Sequence, residues 1–195
     1  MAVQSITTIA KARMHSRTMV SVLILVAGAA GCSEPSGLGV AERVLLEIEY
    51  INRAAGTTYF GFHIDGSGNV YRYDRNGSSW ERQDSTAHTP AELSGKYAPI
   101  NNLQFTRPRA EVSGLIPAID EAALGSLSEP HMPCADAGTL KYLAYTYDPD
   151  AGRYTTVLLR VEGDLAQLNT SPAAQDLIAY FRSLALLAEL AGCDP

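Results

Sequence analysis

The chain lacks an apolar run long enough to cross a bilayer, and it has only three cysteines. Its run Val20–Ala27 falls well short of the about 20 apolar residues that a spanning helix needs. His-Glu-x-x-His, Cys-x-x-Cys, Walker and Gly-x-Ser-x-Gly patterns are all absent, which removes the motif-based routes to a zinc protease, a dithiol redox centre, a nucleotide-binding loop or a nucleophile elbow. Charged residues are only 18% against 46% hydrophobic ones, a globular balance rather than a disordered one. Residues 1–31 contain no acid, so all 21 acidic residues fall after them. Setting aside Lys11, Arg13 and Arg17 leaves 12 basic residues beyond position 31, a net charge of about −9. Such a body argues against nucleic acid, whose affinity comes from neutralised phosphates, and against electrostatic docking on anionic lipid. Any membrane attachment must have another source.

The amino terminus offers one. Lys11, Arg13 and Arg17 form a basic region, Val20–Ala27 a short apolar one, and Gly28-Ala29-Ala30-Gly31 a stretch of small residues before Cys32. Ala29-Ala30-Gly31-Cys32 resembles the lipobox of bacterial lipoproteins, with Ala29 where leucine is usual. Ala27-Gly28-Ala29 also fits ordinary signal peptidase cleavage, and Met14 would start a more typical signal. The resemblance implies an exported chain in which residues 1–31 are a signal peptide. Cys32 would carry a lipid (diacylglyceryl and palmitate chemistry), and residues 32–40 would be an anchor linker to a single domain over 41–195. The membrane partner is then engaged through that lipid, on the outer side of the cytoplasmic membrane or at the outer membrane. Lipidation of Cys32 leaves Cys134 and Cys193 as an even pair in an oxidising compartment. They are expected to form a disulfide, with two free thiols as the alternative. Closing a loop of about 60 residues is worth about 4 kcal/mol on the chain-entropy estimate.

Residues 41–195 read as an α+β domain: an antiparallel sheet of about six strands with helices packed on one face. Val44, Leu46, Ile48 and Tyr50 alternate with Glu47 and Glu49, giving one apolar face. Strands follow over Thr57–Ile64 and Val70–Tyr73 around a turn at Asp65–Asn69, and later over Thr139–Tyr147, Arg153–Val161 and Leu165–Asn169. Thr89-Pro90-Ala91-Glu92 is a capping box that opens a helix. A second helix is expected over Pro117–Leu127, with irregular chain before it. The longest helix is expected from Ser171-Pro172 to about Ala191, stopped by Gly192. The order strand, Ala-Gly turn, strand, acid-Gly turn, strand, Thr/Ser-Pro, helix occurs twice, so two βββα halves side by side are an alternative architecture.

The candidate sites are sparse. Asp65-Gly-Ser-Gly-Asn69 has the alternating oxygens of a calcium loop, but Val70 and Asn76 break the pattern and a hairpin turn accounts for it. His131 and Cys134 have metal-ligand spacing with no third ligand to name. No metal and no cofactor are expected. His63 and His88 are the two candidate general bases, should a serine and an aspartate converge on one of them. Eight tyrosines fall on expected strands, and Tyr71 and Tyr73 mark a candidate binding face for a peptide or glycan. The functional expectation is an envelope lipoprotein that acts as a non-enzymatic binding or interaction module toward an unidentified protein or polymer. The alternative is a secreted hydrolase with a dispersed active site.

Overall fold

The computed structural model describes residues 38–54, 56–75, 86–98 and 100–186, with Ile100 described by its backbone alone. Cys32, Gly192 and Cys193 lie outside the described residues. The domain is α+β, built on one antiparallel sheet of eight strands. These are β1 (Val44–Asn52), β2 (Thr58–Asp65), β3 (Asn69–Asp74), β4 (Ala87–His88), β5 (Ile100–Thr106), β6 (Thr139–Asp148), β7 (Arg153–Gly163) and β8 (Gln167–Leu168). They are ordered β4-β7-β6-β1-β2-β3-β5, with β8 also on β7. Among the described residues four α-helices accompany them: α1 (Pro90–Tyr97), α2 (Arg109–Ser113), α3 (Ile116–Ala122) and α4 (Pro172–Ser183).

The meander β1-β2-β3 lies on one side of a central antiparallel β1–β6 pair and β6-β7-β8 on the other. The repeated order of elements is therefore laid out within one continuous sheet rather than in two side-by-side subdomains. The expected hairpin turns are present. Asp65 accepts the amides of Ser67 and Asn69 through Oδ1, both at 2.9 Å, which commits that carboxylate to the β2–β3 turn. Gly152 sits at φ +61° between β6 and β7, a conformation that favours glycine.

One face of the sheet presents Leu46, Ile48, Ile64, Val70, Tyr142, Ala144 and Leu159. It packs against Val112 of α2, Ile119 of α3 and Ala173, Ala174, Leu177, Ile178 and Phe181 of α4. This is the hydrophobic core that the alternation in β1 predicts for Leu46, Ile48 and Tyr50, while Val44, set off by the register shift before Leu46, packs with the other cluster instead. The other face is not left to solvent, because α1 covers it with Leu93, Lys96 and Tyr97. The capping box forms as the sequence requires: Thr89 Oγ1 accepts from Glu92 N–H at 3.2 Å, and Glu92 Oε2 accepts from Thr89 N–H at 2.6 Å.

Three segments depart from the sequence expectation. The irregular stretch before the second helix contains β5 and α2. The second helix is α3 and ends at Ala122. The last helix ends at Ser183, because Ala185 takes a left-handed backbone at φ +54° that a continuing helix cannot accommodate.

Candidate functional site

Charge is concentrated under α1. Glu47 and Glu49 stand two apart on β1, so a strand places both on one face, here the face opposite the hydrophobic core. They are 0% and 3% exposed. Helical spacing brings the consecutive residues Lys96 and Tyr97 down onto them. Lys96 Nζ lies 2.7 Å from Glu47 Oε1 and 2.7 Å from Glu49 Oε2. Tyr97 donates to Glu47 Oε2 at 3.2 Å, Tyr59 donates to Glu49 Oε2 at 2.9 Å, and Tyr73 and Tyr145 each donate to Glu47. Tyr73 reaches Glu47 by crossing Gly61; a β-carbon there would meet the Tyr73 hydroxyl at 2.5 Å, so the glycine is what lets the ring lie flat over β2.

The electrostatics follow from this packing. Burial pushes the hydroxyl pKa of Tyr73, Tyr97 and Tyr145 well above the usual phenol range, and the nearby Glu47 carboxyl adds to it, so all three stay donors. Burial alone would lower the pKa of Lys96, but Glu47 and Glu49 together outweigh it and the pKa is raised. Two carboxyl groups thus share one ammonium and four hydroxyl donors in a site that excludes water. Arg75 completes the seating of α1 by donating to the carbonyls of Gly95 (3.0 Å) and Ala98 at the helix C-terminus, where a cation is favoured.

His63 borders this cluster. Its ring is stacked between Tyr97, centroids 3.9 Å apart, and Tyr71 at 5.0 Å. Nε2 lies 2.9 Å from Asn101 Oδ1 on β5; the carbonyl oxygen accepts, so Nε2 carries the proton. Nδ1 is buried and has no hydrogen-bond partner among the described residues. Burial lowers the His63 pKa, opposed in part by the Asn101 bond. His88 is half-buried on β4 with its ring 6.5 Å from Tyr145, and burial and then Lys96 lower its pKa.

Tyr71 is half-buried against His63, and Tyr73 is fully buried. Tyr73 therefore offers its hydroxyl to Glu47 and no ring to a partner, which corrects the expectation of a binding face there. Of the other tyrosines on strands, Tyr59, Tyr142, Tyr145 and Tyr154 are buried too. Cys134 is half-buried and engaged rather than free, its expected partner Cys193 lying outside the described residues. His131 and Cys134 gather no metal-ligand group of three or more among the described residues.

The surface feature that sequence reading missed is β5. It forms one border of the sheet, paired on its inner side with β3 from Asn69↔Thr106 to Asp74↔Ile100. Residues 101–106 are all exposed, including Leu103 at 54% and Phe105 at 36%. No residue of β5 is charged. Among the described residues no strand lies on its outer side. The opposite border differs: β4 covers β7 at Tyr154 and Thr155, β8 covers it at Arg160 and Val161, and Asn169 N–H donates to Leu159 O at 2.9 Å.

The chain matches no family model, no curated protein and no solved structure. Its function must therefore be read from its own geometry.

Proposed function

We propose that this chain is an exported envelope lipoprotein, anchored through Cys32, that acts as a non-enzymatic interaction module and receives another polypeptide along β5. The observation that carries the reading is β5, a border strand with no outer neighbour among the described residues. An unpaired strand edge is a row of backbone donors and acceptors, and proteins ordinarily blunt it with charge, proline, a bulge or a covering segment. β5 carries one extra residue, Gln104, at the register shift opposite Val70/Tyr71, but no charge and no proline within Ile100–Thr106. Strand addition at such an edge takes its affinity from the main chain and its specificity from the side chains beside it, here Leu103 on the face of Tyr71 and Phe105 on the opposite face, that of Val70.

The buried cluster supports the non-enzymatic side of the reading. Its carboxyl groups are engaged by internal donors, and the His63 ring is held face to face between two tyrosines with Nε2 committed to Asn101. A general base must reach a substrate proton within about 3 Å. The cluster instead fixes α1 on the sheet, and through His63 and Asn101 it ties the border strand to the interior. The lipobox and the basic, then apolar, then small-residue order of residues 11–32 support the anchored address, and the acidic body speaks against nucleic acid as partner.

The test is a photo-activated cross-linking residue in place of Gln104 in the exported protein, compared with one in place of the exposed Glu121 on α3. Irradiation of intact cells should give a covalent polypeptide adduct from position 104 and none from 121. Adducts from neither position, or equal adducts from both, would contradict a dedicated edge.

A further inference from the structure

We infer that α1 is a pH-operated lid: it lies closed over Glu47 and Glu49 while His63 is neutral, and its C-terminal end lifts when His63 takes a second proton. The inference concerns the face of the sheet under α1 and is independent of what meets β5.

The wall of the buried cluster that the sheet ladder does not hold is α1. Strands β1, β2, β3, β5 and β6 are joined to one another through their backbones. Among the described residues no backbone hydrogen bond joins α1 to a strand. Its N-terminus follows on β4, whose Ala87 and His88 pair with Thr155 and Tyr154. Thr89, extended at φ −77° and ψ 160°, is the joint between them. The far end of the helix is seated by side chains. Lys96 rests on the two carboxylates, Tyr97 on Glu47 and the His63 ring, and Arg75 donates to the carbonyls of Gly95 and Ala98. A helix of eight residues is marginal by itself and depends on such packing.

His63 is placed to undo that seating. The residue is 5% exposed, its ring lies on Tyr97, and Nε2 donates to Asn101. Nδ1 is buried with no partner among the described residues. A second proton there is a charged donor without an acceptor, far costlier to bury than a neutral lone pair. The surrounding elements supply no acceptor. β1 presents Glu47, directly opposite His63 in the ladder, but its oxygens already accept from Lys96, Tyr73, Tyr97 and, from β6, Tyr145. β2 itself presents Asp65, whose Oδ1 is committed to the β2–β3 turn. β3 presents Tyr71 and Tyr73, and β5 the uncharged Asn101. The faces of Tyr71 and Tyr97 attract a cation, but they accept nothing from an in-plane N–H. α1 adds the Lys96 ammonium, which repels a second cation. Glu47, Asp65 and the Asn101 bond favour the charged ring, yet burial outweighs them and the closed site prefers the neutral one.

Swinging α1 up at Thr89 admits water to Nδ1 and carries Lys96 away, so a falling pH favours the lifted form. The surface it uncovers holds Glu47 and Glu49 with the hydroxyls of Tyr59, Tyr73 and Tyr145, while their ammonium leaves with the helix. His88 sits at the joint, where it faces Tyr145, Lys96 and Glu92. Substitution separates its titration from that of His63.

Amide hydrogen exchange on the full chain, followed between about pH 7.5 and 5, reads the lid. Protection factors divide out the intrinsic pH dependence of exchange. One linked proton changes an opening equilibrium by at most about tenfold per pH unit. The last turn of α1 includes the Ala98 amide, which donates to Ser94 O at 3.1 Å. Its protection should fall by about tenfold across that range, while the amides of β1 and β6 keep theirs. His63→Gln carries a donor for Asn101 and does not titrate, and His63→Phe keeps a ring between the tyrosines. Each should make the protection of α1 independent of pH, and His88→Phe should behave as the wild type does. Constant protection of α1 in the wild type overturns the lid. So does a loss shared equally by β1 and β6, a loss that persists in both His63 variants, or a loss that His88→Phe abolishes.

Discussion

At the scale of single residues, the unusual expenditure is the charge under α1. Breaking a buried ion pair by removing one partner costs about 3–5 kcal/mol, while replacing the whole set with neutral groups is often tolerated. Lys96→Met should thus destabilise the domain by about 3–5 kcal/mol, since Glu47 and Glu49 lose their shared ammonium. Combining it with Glu47→Gln and Glu49→Gln should recover much of the loss. Urea unfolding of the two variants checks both statements; a Lys96→Met protein as stable as wild type would contradict the geometry. Tyr73→Phe removes one donor to Glu47 and should cost about 1–3 kcal/mol. His63 adds a pH dependence. Its folded pKa lies below the unfolded value of about 6.5, so the folded state prefers the neutral ring. Stability is fully present above about pH 6.5 and is lost as pH falls from there through the folded value. His88, also lowered, acts in the same direction. Unfolding midpoints from pH 7.5 to 5 should fall, and the fall should shrink in His63→Phe; an unchanged slope in that variant would assign the dependence elsewhere.

At the scale of elements, legibility followed burial. The capping box at Thr89–Glu92, the Asp148–Gly152 hairpin and the apolar side of β1 could be read because each is a local rule with a strong residue signature. Glu47 and Glu49 followed the same alternation, yet the sequence could not show that α1 would close over them, because Lys96 lies 49 positions from Glu47 along the chain. A signal existed in the eight-residue helix itself, whose Leu93, Lys96 and Tyr97 fall on one face at i, i+3 and i+4. β5 was missed for the opposite reason. Strands are recognised by a buried apolar face, and Asn-Asn-Leu-Gln-Phe-Thr has none to bury, so the exposure of β5 also hid it. The end of α4 was overrun because the apolar spacing continues past Leu184, while Ala185 turns the backbone out of the helix. The Cys134–Cys193 bond belongs to this scale as well. Mass spectrometry of the non-reduced exported protein should find the two peptides joined, and recovery of both as free thiols would remove the bond.

At the scale of the whole molecule, address and interaction depend on each other. A strand edge with neither charge nor proline, interrupted only at Gln104, is an aggregation hazard in a protein free to diffuse at high concentration. On a tethered protein it is a contact that two dimensions can regulate. Cys32→Ser should abolish incorporation of a clickable fatty acid and release the protein from membranes; equal labelling of wild type and variant would end the anchor reading. No helix among the described residues is long and apolar enough to cross a membrane. The central claim is that β5 is occupied in the envelope, and amide hydrogen exchange reads that occupancy without knowledge of the occupant. Exchange is measured on the lipidated chain in intact envelopes and again after dilution into detergent as separated molecules. The account predicts that the amides of Leu103, Gln104 and Phe105 exchange slowly in the envelope and speed up on separation, while those of the central β1–β6 pair stay slow in both. Fast exchange across β5 in both states would contradict it.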